Sequence, residues 1–232
     1  MLIRLTEADS VEQEKVVPVS TLEAVLVIVV TFFLSIFLGF IFLDVLGTGP
    51  ALILSELLIL VVPLGYLMFK RVDIKRYVRL EVNPKLVLWG FVAGAILLSV
   101  DIAVSAGLTL VFGESQAVIE SNAMITELTD STEGLIYVAT ALTLAGVCEE
   151  FAFRGFLQST LTRRFSFIPA VIASALTFGL FHFDIQLVYI LSATTAGLVL
   201  GYFYHRWNSY IVAVIAHSSV NLLVLLVLMF GV

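Results

Sequence analysis

Six polar or ionisable residues in the second half of the chain sit in stretches otherwise built of Leu, Val, Ile, Ala and Phe, and their types are those of hydrolytic catalysis. Glu149, Glu150 and Arg154 lie in Gly146-Val-Cys-Glu-Glu-Phe-Ala-Phe-Arg154, His182 ends Phe178-Gly-Leu-Phe-His182, and His217-Ser-Ser-Val-Asn221 adds an imidazole and a carboxamide. Residues four apart share a helical face, so Glu150 can pair with Arg154, and His217 can act beside Asn221. Glu149 lies about 100° round the helix from Glu150. Such a set suits hydrolysis of an amide by an activated water. Glu149 with His182 would take the proton of the water, and His217 with the Asn221 carboxamide would donate to the oxyanion. Arg154 would pair with Glu150 and fix the geometry. Because the two glutamates are neighbours, their roles can be exchanged at this stage. A metal version uses Glu149, His182 and His217 as three zinc ligands with a water in the fourth position. No HExxH motif favours it, so the mechanism without a metal cofactor is preferred.

The elements that must position these residues are membrane helices. The chain has 232 residues, 60% hydrophobic and 13% charged, against roughly 25% charged in soluble domains. A bilayer core takes roughly 20 mostly apolar residues per helical span. Runs of that kind are Thr21–Leu43, Pro50–Phe69, Leu86–Phe112, Gly134–Leu161, Phe167–Phe183, Leu187–Tyr204 and Ser209–Val232. The expected fold is therefore an all-α polytopic transmembrane bundle of about seven spans, between six and eight. Residues 1–20 read as a cytoplasmic N-terminal segment without a cleaved signal. Residues 21–232 read as one membrane domain, with the site in 146–221. The single cysteine, Cys148, excludes an internal disulfide and a multi-cysteine metal cluster.

Charge placement gives an orientation, since Lys and Arg near spans stay cytoplasmic. Arg4 and Lys15, the group Lys70, Arg71, Lys75, Arg76, Arg79 and Lys85, then Arg163, Arg164 and Arg206 all fall on one side. The opposite connections, including Gly113–Glu133 with its five acids, hold no Lys or Arg. The N-terminus is expected in the cytoplasm of an integral multi-pass protein. The basic group 70–85 is accounted for by orientation and by contact with membrane lipids, so nucleic acid is not an expected partner.

Arg154 is the one basic residue left inside a span. A charge at that depth needs a partner or a water-filled cavity. Counted at about 1.5 Å per residue from the basic ends, Glu149, His217 and Asn221 fall in one middle layer and His182 lies further out. Glu56 and Asp101 are also inside spans but show no partner in the sequence. His205 reads as interfacial, Asp184 as a helix cap or an outer-surface residue, and Cys148 as a small buried residue. Ser218 and Ser219 follow His217 directly and do not face it on a helix.

The ordered set Glu149-Glu150-x-x-x-Arg154, Phe178-x-x-x-His182 and His217-x-x-x-Asn221, all in expected membrane helices, resembles the CPBP family of CAAX prenyl proteases and bacteriocin-processing or self-immunity proteins. The motifs cover about the last hundred residues. The resemblance implies an intramembrane endopeptidase in which Glu149 and His182 activate water, His217 and Asn221 stabilise the oxyanion, and Glu150, Arg154 and Phe178 support them. The family has been described both as glutamate-type and as zinc-dependent. It implies a membrane-bound or lipidated peptide or protein substrate, although nothing in this sequence reads as a prenyl-binding signature. A site reached from the cytoplasm would suit a lipidated tail, and one leaning outward would suit exported peptides or a regulatory partner. Two other readings compete: a non-catalytic self-immunity or regulatory membrane protein, and a proton-relaying transporter. Repeated halves and paired broken helices, common in transporters, are not apparent.

Overall fold

Uninterrupted apolar periodicity with polar punctuation predicts helices alone, and the computed structural model, which describes residues 18–231, contains only helices and connections among those residues. They are α1 (Thr21–Leu46), α2 (Thr48–Phe69), α3 (Ile74–Tyr77), α4 (Pro84–Phe112), α5 (Gln116–Thr129), α6 (Thr132–Leu161), α7 (Phe167–Phe181), α8 (Val188–Trp207) and α9 (Tyr210–Phe230). Each of the seven expected runs falls on a helix over its described residues, apart from residues at their ends. Helices α1, α2, α4, α6 and α9 are long and apolar enough to cross a membrane. Helix α7 is apolar but has 15 residues, and α8 carries Ser192, Thr194 and Thr195 along its length.

Several boundaries differ from those expected. The run expected to end at Phe183 stops at Phe181, and the run expected to span Leu187–Tyr204 is Val188–Trp207. The Gly113–Glu133 connection contains α5, whose apolar residues alternate with acids and amides and so fall short of a span-like run. Arg4 and Lys15 lie outside the described residues, as does most of the expected N-terminal segment.

Short polar residues start the helices. The Ser20 hydroxyl accepts from the Glu23 N–H at 3.2 Å while the Glu23 carboxylate accepts from the Ser20 N–H at 2.6 Å, a reciprocal cap. Lys70 Nζ reaches the same carboxylate at 3.0 Å and closes the start of α1 onto the end of α2. The Ser115, Ser131 and Ser209 hydroxyls cap α5, α6 and α9 by accepting from the N–H of Val118, Gly134 and Val212, without the reciprocal bond.

Helix α6 runs between α2 and α9, while α4 lies against α9 and α8, and α7 packs on α8. Two glycines set how closely these helices approach. A Cβ on Gly146 would fall 2.7 Å from the Ser218 nitrogen, and one on Gly179 would fall 2.7 Å from the Ile190 carbonyl oxygen. Small residues permit such contacts where lipid tails supply no hydrophobic drive between helices. Large apolar side chains, among them Leu22, Phe33, Phe37 and Phe40, are exposed along α1. In a bilayer that belt is the surface in contact with lipid.

The two ends of the bundle are built differently. At one end the basic connections meet: Arg163 lies 4.3 Å over the Tyr77 ring, Arg79 lies 4.9 Å over Tyr204, and the Tyr210 N–H donates to the Arg79 carbonyl. At the other, the Ser115 hydroxyl donates to Asp184, and the Gln116 N–H donates to Gln186. This joins the α4–α5 connection to the α7–α8 connection.

Candidate active site

Helix α6 delivers three charges at the point where its backbone changes. Thr132–Glu150 is α-helical and Phe151–Gln158 is π-helical, a local widening often found at functional sites. Glu150 and Arg154 nevertheless pair as their spacing predicts, Nη1 to Oε1 at 2.8 Å, and both side chains are wholly buried. Arg154 also donates from Nη2 to the Gly197 carbonyl of α8 at 3.1 Å, and its guanidinium lies 4.4 Å over the Phe178 ring. The pair and its two further partners therefore come from three helices. Two charges out of water need such compensation from hydrogen bonds as well as from each other.

The Glu150 Oε1 atom accepts a second bond, from His217 Nδ1 at 2.9 Å. A carboxylate accepts and does not donate, so Nδ1 carries the proton. Nε2 is then the ring atom left for chemistry. It stands 3.9 Å from Glu149 Oε2, beyond hydrogen-bond reach. Glu149 Oε2 is buried and has no hydrogen-bond partner among the described residues. The order is thus Arg154, Glu150, His217, Glu149, with a gap at its last step.

His182 follows the last residue of α7. Its N–H bonds to Gly179 rather than to Phe178, and its own Nδ1 donates to the freed Phe178 carbonyl at 3.0 Å. The side chain ends the helix and fixes the tautomer, leaving Nε2 as an acceptor. Its ring lies 4.7 Å from Phe178 and 5.0 Å from Tyr189, and Phe178 lies 5.9 Å from His217, so Phe178 separates the two imidazoles. Asn221 Nδ2 donates one of its two hydrogens to the Leu142 carbonyl at 3.2 Å.

A cavity of about 660 Å³ adjoins this cluster, and Phe178, His182, His217 and Asn221 are on its wall. Glu149 and Glu150 are not. The structure therefore gathers Glu150, Arg154, His217 and Glu149 into one chain, sets His182 and Asn221 at the cavity, and leaves His182 apart from Glu149.

Of the residues given duller readings, two gain a place. Glu56 of α2 is close enough to Glu149 for their charges to interact, and one of its carboxylate oxygens is also buried without a partner. Asp101 of α4 accepts from Ser192 at 3.0 Å and lies on the cavity wall. The signal for both was a carboxylate inside an apolar run. Gly197 and Leu142, which supply only carbonyls, carried no signal. Of the others, Ser218 and Ser219 bond to backbone carbonyls, Cys148 is buried as expected, and His205 stacks on Phe167. Burial would push the Asp184 carboxyl up, but the N–H groups of Tyr189 and Gln186 and the Ser115 hydroxyl outweigh it and hold the group below its ordinary value.

Glu149, His182 and His217 do not converge as a three-ligand set, and no group of three His, Cys, Asp or Glu side chains among the described residues is placed to hold a metal ion. The donor set as arranged does not fit zinc.

An all-helical membrane protein with a buried Glu–Arg–His chain beside a cavity is the class that fold and site define together. Residues 131–223 match the model of the family described as type II CAAX prenyl endopeptidase Rce1-like. That segment holds all six polar site residues, so the family resemblance carried by their motifs holds across it, while α1 to α5 lie outside it. No curated protein and no solved structure matches the chain.

Proposed function

We propose that the protein is an intramembrane endopeptidase that hydrolyses a peptide bond of a membrane-associated substrate with Glu149 as general base. The observation that carries this reading is the contrast between the two adjacent glutamates. Each carboxylate has one buried oxygen without a partner, but Glu150 is wholly buried with its Oε1 committed to Arg154 and His217, whereas Glu149 is 11% exposed, takes no donor, and stands next to the Nε2 of an oriented imidazole. A buried acceptor left without a donor calls for a reason, and a place for a reacting water is one.

In this mechanism Glu149 takes a proton from water as the oxygen bonds to the scissile carbonyl carbon, and the carbonyl electron pair moves to its oxygen. The second Asn221 Nδ2 hydrogen and His217 Nε2, when it carries a proton, donate to that oxyanion. Collapse breaks the C–N bond, and the proton held by Glu149 passes to the leaving amine. His182, with Nε2 as acceptor, faces the cavity on the other side of Phe178 and accepts from a donor that enters it. Glu150 and Arg154 hold the His217 ring in its tautomer. The charge rule sets the basic end of the bundle, and with it the N-terminus, in the cytoplasm.

Cleavage of membrane-anchored peptides by detergent-purified protein tests this reading, with Glu149→Gln as the comparison. Loss of about 10²–10⁴-fold in rate with an unchanged melting temperature is the expected result. A chelator is expected to leave the rate unchanged, and loss with recovery on added zinc would replace the mechanism with a metal-dependent one. A folded natural chain that cleaves nothing in a broad library would favour an immunity or regulatory role.

A further inference from the structure

The cavity beside His217 is placed off-centre in the bundle. On α4 its wall is the stripe Leu97, Asp101, Ser105 and Thr109, and on α9 it extends from His217 to Leu228. Both stretches start near mid-helix and run toward the end that carries no Lys or Arg. The basic ends of the same helices, from Pro84 to Ile96 and from Tyr210 to Ala216, contribute nothing to the wall. At the far end the wall is completed by Glu114 and Ile119, both exposed, the latter on α5. The opening is therefore at the basic-free end, where the α4–α5 and α7–α8 connections are tied together.

Asp101 stands on that wall, midway along α4. Its Oδ1 accepts from the Ser192 hydroxyl at 3.0 Å, and Ser105 and Ser192 share a further bond of 3.0 Å. No other side chain among the described residues bonds to the Asp101 carboxylate. A carboxylate at that depth calls for a partner, and the cavity wall offers no Lys or Arg.

We propose that the cavity admits substrate from the basic-free face and that the Asp101 carboxylate is a specificity subsite for a Lys or Arg side chain of the peptide. The inference rests on the endopeptidase reading for the word substrate. By the charge rule that face is extracytoplasmic, so the segment cleaved belongs to the outer part of a membrane-associated or exported peptide and not to a cytoplasmic tail.

The test uses full-length chain in a Cys148→Ala background and does not require turnover. Ser105→Cys is reacted with a charged, membrane-impermeant maleimide in right-side-out and in inverted vesicles, with Glu114→Cys and Lys75→Cys marking the two faces. Ser105→Cys is expected to react from the Glu114 side, and reaction only from the Lys75 side would overturn the access route. The same reaction is then run with a neutral apolar peptide carrying one Arg, and with its Glu counterpart. The Arg peptide is expected to slow labelling about tenfold, equivalent to about 1.4 kcal/mol, and the Glu peptide to leave it unchanged. Asp101→Asn is expected to abolish the difference, while Ser192→Ala, which keeps the carboxylate, preserves it. Equal effects of the two peptides on the chain with Asp101 intact would overturn the subsite. A folded chain that binds the Arg peptide in this way yet cleaves nothing would sink the endopeptidase reading alone.

Discussion

Two halves of the site use the same residue types to opposite effect. Behind Glu150, the Arg154 guanidinium, the Gly197 carbonyl and the Phe178 ring pack around a pair whose side chains are wholly buried, although Glu150 Oε2 and Arg154 Nε take no partner. In front of Glu149, carboxylate oxygens of Glu149 and Glu56 remain unpartnered, and His217 and Asn221 border a cavity. A closed half of paired charges is costly to assemble and holds one geometry. An open half keeps polar groups available to a substrate. The lesson is that adjacency in sequence does not imply equivalence of surroundings: a turn of about 100° per residue is enough to send one carboxylate into the closed half and its neighbour toward the His217 Nε2 that borders the cavity.

The comparison can be broken from the closed side first. Arg154→Met leaves Glu150 as an uncompensated buried charge and is expected to destabilise the fold by about 3–5 kcal/mol. The measurement is thermal unfolding in detergent, and an unchanged melting temperature would mean the closed half is not closed. From the open side, Asn221→Ala removes a candidate oxyanion donor and is expected to lower the cleavage rate about 10²–10³-fold with little change in stability. Loss of stability without selective loss of rate would reassign Asn221 to packing between α6 and α9.

A smaller effect sharpens the contrast by looking away from both halves. The Asp184 carboxyl is held below its ordinary value of 3.8 by donors that include the start of α8 and Ser115. Its contribution to stability is therefore complete above that value and is lost as the pH falls through the lower value of the folded state. The melting-temperature gap between the natural chain and Asp184→Asn is expected to narrow below pH 3.8. A gap that stays constant there would remove Asp184 from the tie between the two connections.

Much of this was readable from the sequence because the bilayer makes apolar runs conspicuous and any charge inside them costly. The helical runs, the Glu150–Arg154 pair and the place of His217 and Asn221 on one cavity wall followed from length and four-residue spacing. The partner of His217 did not. Its bond to Glu150 joins residues 67 apart and depends on how α6 and α9 pack, which local periodicity does not encode. The end of α7 falls before the end of its apolar run for a chemical reason, since His182 uses its own ring to replace the helix bond it ends. Helix α5 escaped because its amphipathic pattern lies between two spans and resembles a polar connection. Asp101 was visible as an anomaly, but Ser192, 91 residues away, was needed to give it a setting.

The division of labour between the two glutamates is tested most directly by making Glu149→Gln and Glu150→Gln in parallel, and measuring peptide cleavage and melting temperature for each. Glu149→Gln is expected to lose cleavage and keep the melting temperature of the natural chain, while Glu150→Gln lowers the melting temperature because the buried Arg154 loses its counter-charge. The reverse pattern, with Glu150→Gln folded but inactive and Glu149→Gln active, would contradict the account.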